Sequence, residues 1–223
     1  MFAYNNPTIV FLWVLAFYFL PMLAGFLLGR KRLISVAGMS EIRKRFTDPV
    51  TMKIHNWSRK YTLASIKNGK WLQLFLLIFL NNLLLAAFVS RILYGVIFII
   101  PLFLTAWTGF SHGVLFARPS PKTGAGILLL FFEFGGYLLA TVIGVSIGIS
   151  LLVTLAKDSQ LIINIPWNYA LLMVLFLLTG AALETLTMKK ASKNMDLSWI
   201  EQFDYEKQGK ELAKKMDEDW RAR

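Results

Sequence analysis

The chain has 223 residues, of which 56% are hydrophobic, 14% aromatic and only 17% charged, and its mean hydropathy is +0.55. A soluble domain of this length carries about a quarter charged residues and cannot place so much apolar surface in one core, which excludes a purely aqueous fold. Cysteine is absent, removing disulfides, thiolate metal ligands and a cysteine nucleophile, and the net charge of +11 sits between long apolar runs rather than in one patch.

The first apolar run, residues 9–29, is long enough to cross a hydrocarbon core of roughly 30 Å at 1.5 Å per residue. It has no basic n-region and ends in Arg30-Lys31-Arg32 instead of a small-residue cleavage site, the pattern of a retained helix rather than a signal peptide. Residues 30–70 follow as a basic segment, with Arg30, Lys31, Arg32, Arg43, Lys44, Arg45, Lys53, Arg59, Lys60, Lys67 and Lys70 against Glu41 and Asp48. Within it Ile54, Trp57, Tyr61 and Ala64 recur at helical spacing beside Lys53, Arg59, Lys60 and Lys67. That pattern fits an amphipathic helix on an anionic membrane surface, with Trp57, Arg59, Lys60 and Tyr61 at the interface, or a solvated linker.

The second span is expected over residues 71–89, closed by Ser90-Arg91, and the third over 92–113 with a kink at Pro101 and a very short loop between the two. After a turn at residues 118–122, the apolar run 126–156 exceeds one ordinary span. It reads either as one strongly tilted helix or as two pieces, and Gly135-Gly136 favours a break there. The last span is expected over 167–188, with Trp167 and Tyr169 as an interfacial belt and Lys189-Lys190 at the far end.

These runs predict an all-α, polytopic bundle of about five transmembrane helices. Its parts are a first helix (1–29), the basic segment (30–70), a four-span core (71–188) and a charged tail (189–223). With the N-terminus outside and the C-terminus cytoplasmic, every one of the 24 Lys and Arg except Arg91 and Lys157 falls on the inner side. A prokaryotic cytoplasmic membrane suits this arrangement. Positive-inside bias accounts for the basic charge, so no nucleic-acid partner is expected.

Polar groups inside the spans are the candidate functional residues, because each is costly in hydrocarbon. Glu133 lies deep in the fourth span and needs a partner or a proton, as a proton or cation site or as a hydrogen bond joining helices. Asn81 and Asn82 sit in the middle of the second span, placed to join helices. Gly109 and Gly113, and Gly144 and Gly148, have the small-xxx-small spacing that permits close packing within one chain or between chains. His112 lies between the first pair, and Glu184 lies near Lys189 and Lys190, where it is expected to be neutralised or solvated.

The stretch Ile78-Phe79-Leu80-Asn81-Asn82, followed by Ala86, Phe88, Gly95, Thr108-Gly109 and Gly113, and the block from Leu130 through Glu133, Gly135-Gly136, Ala140, Gly144 and Gly148, resemble the stage II sporulation protein M family over about residues 75–150. The resemblance implies a multi-span protein that works within a membrane complex, in spore formers alongside cell-wall hydrolases. No Walker A loop, HExxH pair or Gly-x-Ser-x-Gly elbow is present, and no cofactor or metal is expected. The expected function is a non-catalytic membrane subunit, embedded in the bilayer and packed against other subunits or copies of itself. Residues 30–70 and 189–223 would be available to a cytoplasmic partner. The alternative is a permease or channel component with Glu133 and Asn81 lining the path.

Overall fold

The structure, a computed structural model, describes residues 6–31, 33, 58, 60–117, 124–157 and 166–193. The described residues are helical and contain no strand, and five helices are long and apolar enough to cross a membrane, as in a multi-pass membrane protein. The charged tail beyond residue 193, and Ile54, Trp57 and Arg59 of the expected amphipathic stripe, lie outside the described residues.

Helix α1 runs over Pro7–Arg30. Asn6 caps it by accepting the Thr8 amide at 3.0 Å, and Pro7 occupies the first helical position, where its missing N–H is no loss. The helix continues through Pro21, as membrane helices do when neighbouring helices support the freed carbonyl. Its buried stripe is Val10, Val14, Tyr18, Gly25 and Gly29.

Residues 60–67 form a short helix that leads into the second span. It ends in a Schellman turn: Gly69 adopts φ 63°, its amide bonds Ile66 O at 3.1 Å, and the Lys70 amide bonds Ser65 O at 2.8 Å. Ser65 and Ile66 face the bundle, whereas Lys60, Tyr61 and Ala64 face away from it.

The second span begins as α2, Trp71–Leu80, changes at Asn81 into a π-helix over Asn81–Ile92, and tightens into a 3-10 turn over Leu93–Val96. It therefore runs past Ser90-Arg91, which does not close the span as expected; Arg91 is 7% exposed inside the bundle instead of lying beyond it. The physical reason is local back-bonding. The Ser90 hydroxyl donates to Leu85 O at 2.6 Å and Arg91 donates from Nη1 to Ala86 O, both five residues back, the reach that π winding provides.

Ile97 and Phe98 alone separate the 3-10 turn from α3, Ile99–Phe116, so the connection is as short as expected but lies later in the chain. Helix α4, Gly124–Lys157, is a single continuous helix of 34 residues, and the break favoured at Gly135-Gly136 does not occur. An α-helix satisfies its backbone internally wherever it lies, and here the two glycines serve packing: Gly135 takes the Phe176 ring and Gly136 takes Leu177 of α5 (Trp167–Ser192). Helix α4 is the centre of the bundle, with 61% of its apolar window buried against 22–33% in the other four spans. Residues 138–146 are buried all round. At the start of α5, Trp167 is 70% exposed, in keeping with a belt position, whereas Tyr169 stacks on Phe11 of α1 at 6.1 Å.

The small-xxx-small spacings are used inside the chain. A Cβ at Gly109 or Gly113 of α3 would strike the backbone of Tyr18 or Met22 of α1. Reciprocally, one at Gly25 or Gly29 would strike Phe110 or Val114 and Ala117. Gly144 and Gly148 of α4 receive the backbone of Arg91 and Gly95 in the same way. With these surfaces already covered, none of the four candidate glycines faces a second copy of the chain.

Candidate functional site

One polar cluster gathers residues from three elements. The π segment contributes Asn82 and Arg91, α4 contributes Glu133 and Tyr137, and α5 contributes Glu184. Nine residues of α-helix make two and a half turns, which would set Asn82 and Arg91 on opposite faces. The i→i+5 winding has more residues per turn, and the buried positions become Asn82, Ala87 and Arg91, at intervals of five and four. Both polar side chains thereby reach α4.

Asn82 donates from Nδ2 to Glu133 Oε1 at 3.2 Å, the interhelical bond expected of an asparagine in a span. Asn81 is half-buried; the bond to Glu133 belongs to its neighbour. Space for the Glu133 side chain comes from Gly180 of α5, where an added Cβ would meet Glu133 Cγ at 2.9 Å. Glu184, half-buried, lies one turn along α5 from Gly180 and is the other carboxyl group beside Glu133. Of the two lysines expected near it, Lys189 has its ammonium 5.8 Å from the centroid of the Trp71 ring at the end of the bundle.

Arg91 lies over the Tyr137 ring with Cζ 4.5 Å from the centroid. The guanidinium has no carboxylate partner among the described residues, and its buried Nε has no hydrogen-bond partner. A buried base and a pair of carboxyl groups thus occupy one cluster with a tyrosine between them.

Two further contacts join helices elsewhere. His112 of α3 meets Tyr18 of α1, with Nδ1 and the phenol oxygen 3.0 Å apart, and both rings pack on Phe134 of α4. Thr105 and Thr141 join α3 to α4 at 2.9 Å. His112 is separate from the carboxyl cluster: Phe134 and Glu133 are successive on α4 and point to different neighbours. A pocket of about 250 Å³ lined by Trp13, Phe98, Leu102, Val145 and Ile149 among others is wholly apolar and lies apart from these groups. Among the described residues no three His, Asp or Glu side chains come together.

Tyr137, Gly180 and Arg91 are the members of the cluster that sequence reasoning did not single out. Tyr137 follows Glu133 by four residues, the spacing that places both on one face of a helix, and that signal was available. No family model, curated protein or solved structure matches this chain.

Proposed function

We propose that this chain is a non-catalytic integral membrane subunit, a scaffold of a membrane complex of the kind that the stage II sporulation protein M resemblance implies. It would lie in a cell membrane with the N-terminus outside and the basic segment and tail in the cytoplasm, where positive-inside bias places them. The observation that supports the reading is the mutual engagement of the polar side chains between helices. Asn82 with Glu133, Tyr18 with His112 and Thr105 with Thr141 each fasten one helix to another, and the pocket described above offers no polar lining. Such groups stiffen a bundle that presents its outer faces to lipid and to other membrane helices. Mild extraction from the native membrane followed by mass spectrometry is expected to return a stoichiometric partner. A chain that purifies alone, without partner or self-association, would refute the reading.

A second reading, a permease or channel component, draws on the carboxyl cluster beside the π segment, since irregular helices and ionisable groups at membrane depth mark conduction paths. On that reading Asn82, rather than Asn81, accompanies Glu133. Glu133→Gln is then expected to abolish proton or solute flux in reconstituted vesicles, and flux equal to that of the unmodified chain would remove Glu133 from any path.

A further inference from the structure

The apolar pocket beside α4 is a crevice with a floor in the core and a rim on the outer surface of the bundle. Its floor is Leu102 of α3 and Val145 of α4, both buried in the cluster that also holds Val10, Val14 and Phe134. Its rim is Trp13 of α1, 50% exposed, and Leu152 of α4, 46% exposed, and Phe98, Ile149 and Val153 complete the walls. The crevice lies where α1 and α3 begin and α4 ends. The glycines that bring α1 and α3 into backbone contact, Gly25, Gly29, Gly109 and Gly113, all stand in the second halves of those helices. Nothing draws the backbones together at the other end, where Val10, Val14 and Leu102 stand in the core instead. We propose that this crevice is a binding site for one lipid acyl chain, held between α1, α3 and α4 as a resident part of the bundle.

The lining decides the class of ligand. Every group that borders the space is apolar, and the hydroxyls along this stretch of α4 bond their own backbone, Ser150 to Ser146 O at 2.8 Å and Thr154 to Ser150 O at 2.9 Å. A buried water needs two to four polar partners, and neither it, an ion nor a polar headgroup finds one here. Size narrows the choice further. The volume is about 250 Å³, more than the roughly 150 Å³ in which an apolar protein cavity holds benzene, so several methylenes fit. A single turn of helix about 10 Å across and 5.4 Å long takes up roughly 400 Å³, too much for a partner helix to enter. Depth agrees with a chain from one leaflet. At 1.5 Å per residue, Leu102, Trp13 and Val145 lie about 5, 9 and 18 Å from the nearest ends of their helices, and one leaflet contributes about 15 Å of hydrocarbon. The walls therefore select a chain and leave its headgroup unread. The site is separate from the polar cluster, so it holds for a scaffold and for a permease component alike.

The test uses the full chain in mild detergent, with intact complexes weighed by native mass spectrometry. One phospholipid per chain is expected to survive washing that strips the others, and phosphatidylcholine and phosphatidylglycerol with the same chains should refill a stripped sample equally well. Val153→Trp, which fills the crevice, is expected to lower retention at least several-fold, whereas Leu155→Phe, at a position 80% exposed that is not part of the lining, should leave it unchanged. No retained lipid, retention of the anionic lipid alone, or full retention in Val153→Trp would overturn the site. A pair of chains that separates in Val153→Trp would give the crevice to a second copy and overturn it as well. The parent chain supplies an independent reading through Trp13 at the rim. Phospholipid with brominated chains, titrated into the stripped protein, is expected to quench a part of the tryptophan fluorescence that saturates near one lipid per chain and is missing in Trp13→Phe. Quenching that rises only in proportion to the bulk lipid fraction would overturn the proposal even if no filled variant folds.

Discussion

Gly113→Val is expected to be among the most damaging single substitutions in this chain. The added Cβ would fall on the Met22 carbonyl, with the Phe26 amide nitrogen 2.7 Å away, and neither backbone group can step aside as a side-chain tip could. Lipid tails are as apolar as the helix faces, so burial contributes little to holding α1 against α3; close backbone contact does most of it. The four glycines act as one surface, Gly25 and Gly29 on α1 against Gly109 and Gly113 on α3, so displacement at one separates all. It also withdraws Tyr18 from His112 and Phe134. Overpacking costs about 1–3 kcal/mol, occasionally more, and a backbone collision belongs at the top of that range. Thermal unfolding in detergent should show a clearly lower midpoint than the parent chain, whereas Leu115→Ala, on the exposed side of α3, should barely move it. An unchanged midpoint for Gly113→Val would mean that α1 and α3 are not packed as described.

The other large effect is expected at Arg91, where Glu and Met substitutions should behave differently. Arg91→Glu would leave a third carboxyl group beside Glu133 and Glu184 and no base in the cluster. It also removes the contact with the Tyr137 ring and the bond to Ala86 O. An uncompensated charge at mid-helix costs about 2.5–3.5 kcal/mol on insertion scales, so most of the chain should fail to reach a monodisperse folded state after extraction. Arg91→Met keeps the apolar stem and adds no new charge, but it takes the base from the cluster, so its loss of stability should be clear yet smaller than that of Arg91→Glu. Size-exclusion profiles and unfolding midpoints compare the two. Equal stability for both would show that the cluster is not balanced by charge.

The five spans were legible because each is an apolar run of at least 18 residues, and length alone decides that question. Their internal winding was not legible. Asn81 to Ile92 carries no proline or glycine to mark the change from α to π, and reading it at 3.6 residues per turn separates Asn82 from Arg91. A charged residue soon after a 19-residue, largely apolar run naturally reads as a helix end, and Arg91 is instead kept inside by bonding its own backbone and an aromatic face. Gly135-Gly136 was misread for a related reason: glycine is both the residue that loosens a helix and the one that admits a neighbour, and only the facing Phe176 and Leu177 distinguish the two uses. Glu133 was recognisable from its cost in hydrocarbon, but its hydrogen-bond partner Asn82 lies 51 residues away on another helix, and no local pattern connects them. Gly25 and Gly29 repeat the spacing of Gly109 and Gly113, and this match was the one overlooked sign that α1 and α3 pair.

The uninterrupted course of α4 has a consequence for the lipid around it. Its apolar stretch of 31 residues is roughly 46 Å long at 1.5 Å per residue, against a hydrocarbon thickness of about 30 Å. Even at about 40°, the steep limit of observed tilts, roughly 35 Å would remain along the bilayer normal. The exposed end of the helix, where Leu155 is 80% exposed, then carries apolar surface beyond the ordinary depth of the acyl chains. A surrounding annulus that thickens to cover it lowers that cost, so the protein is expected to concentrate in the thicker regions of its host membrane and to stretch the thinner ones where it sits.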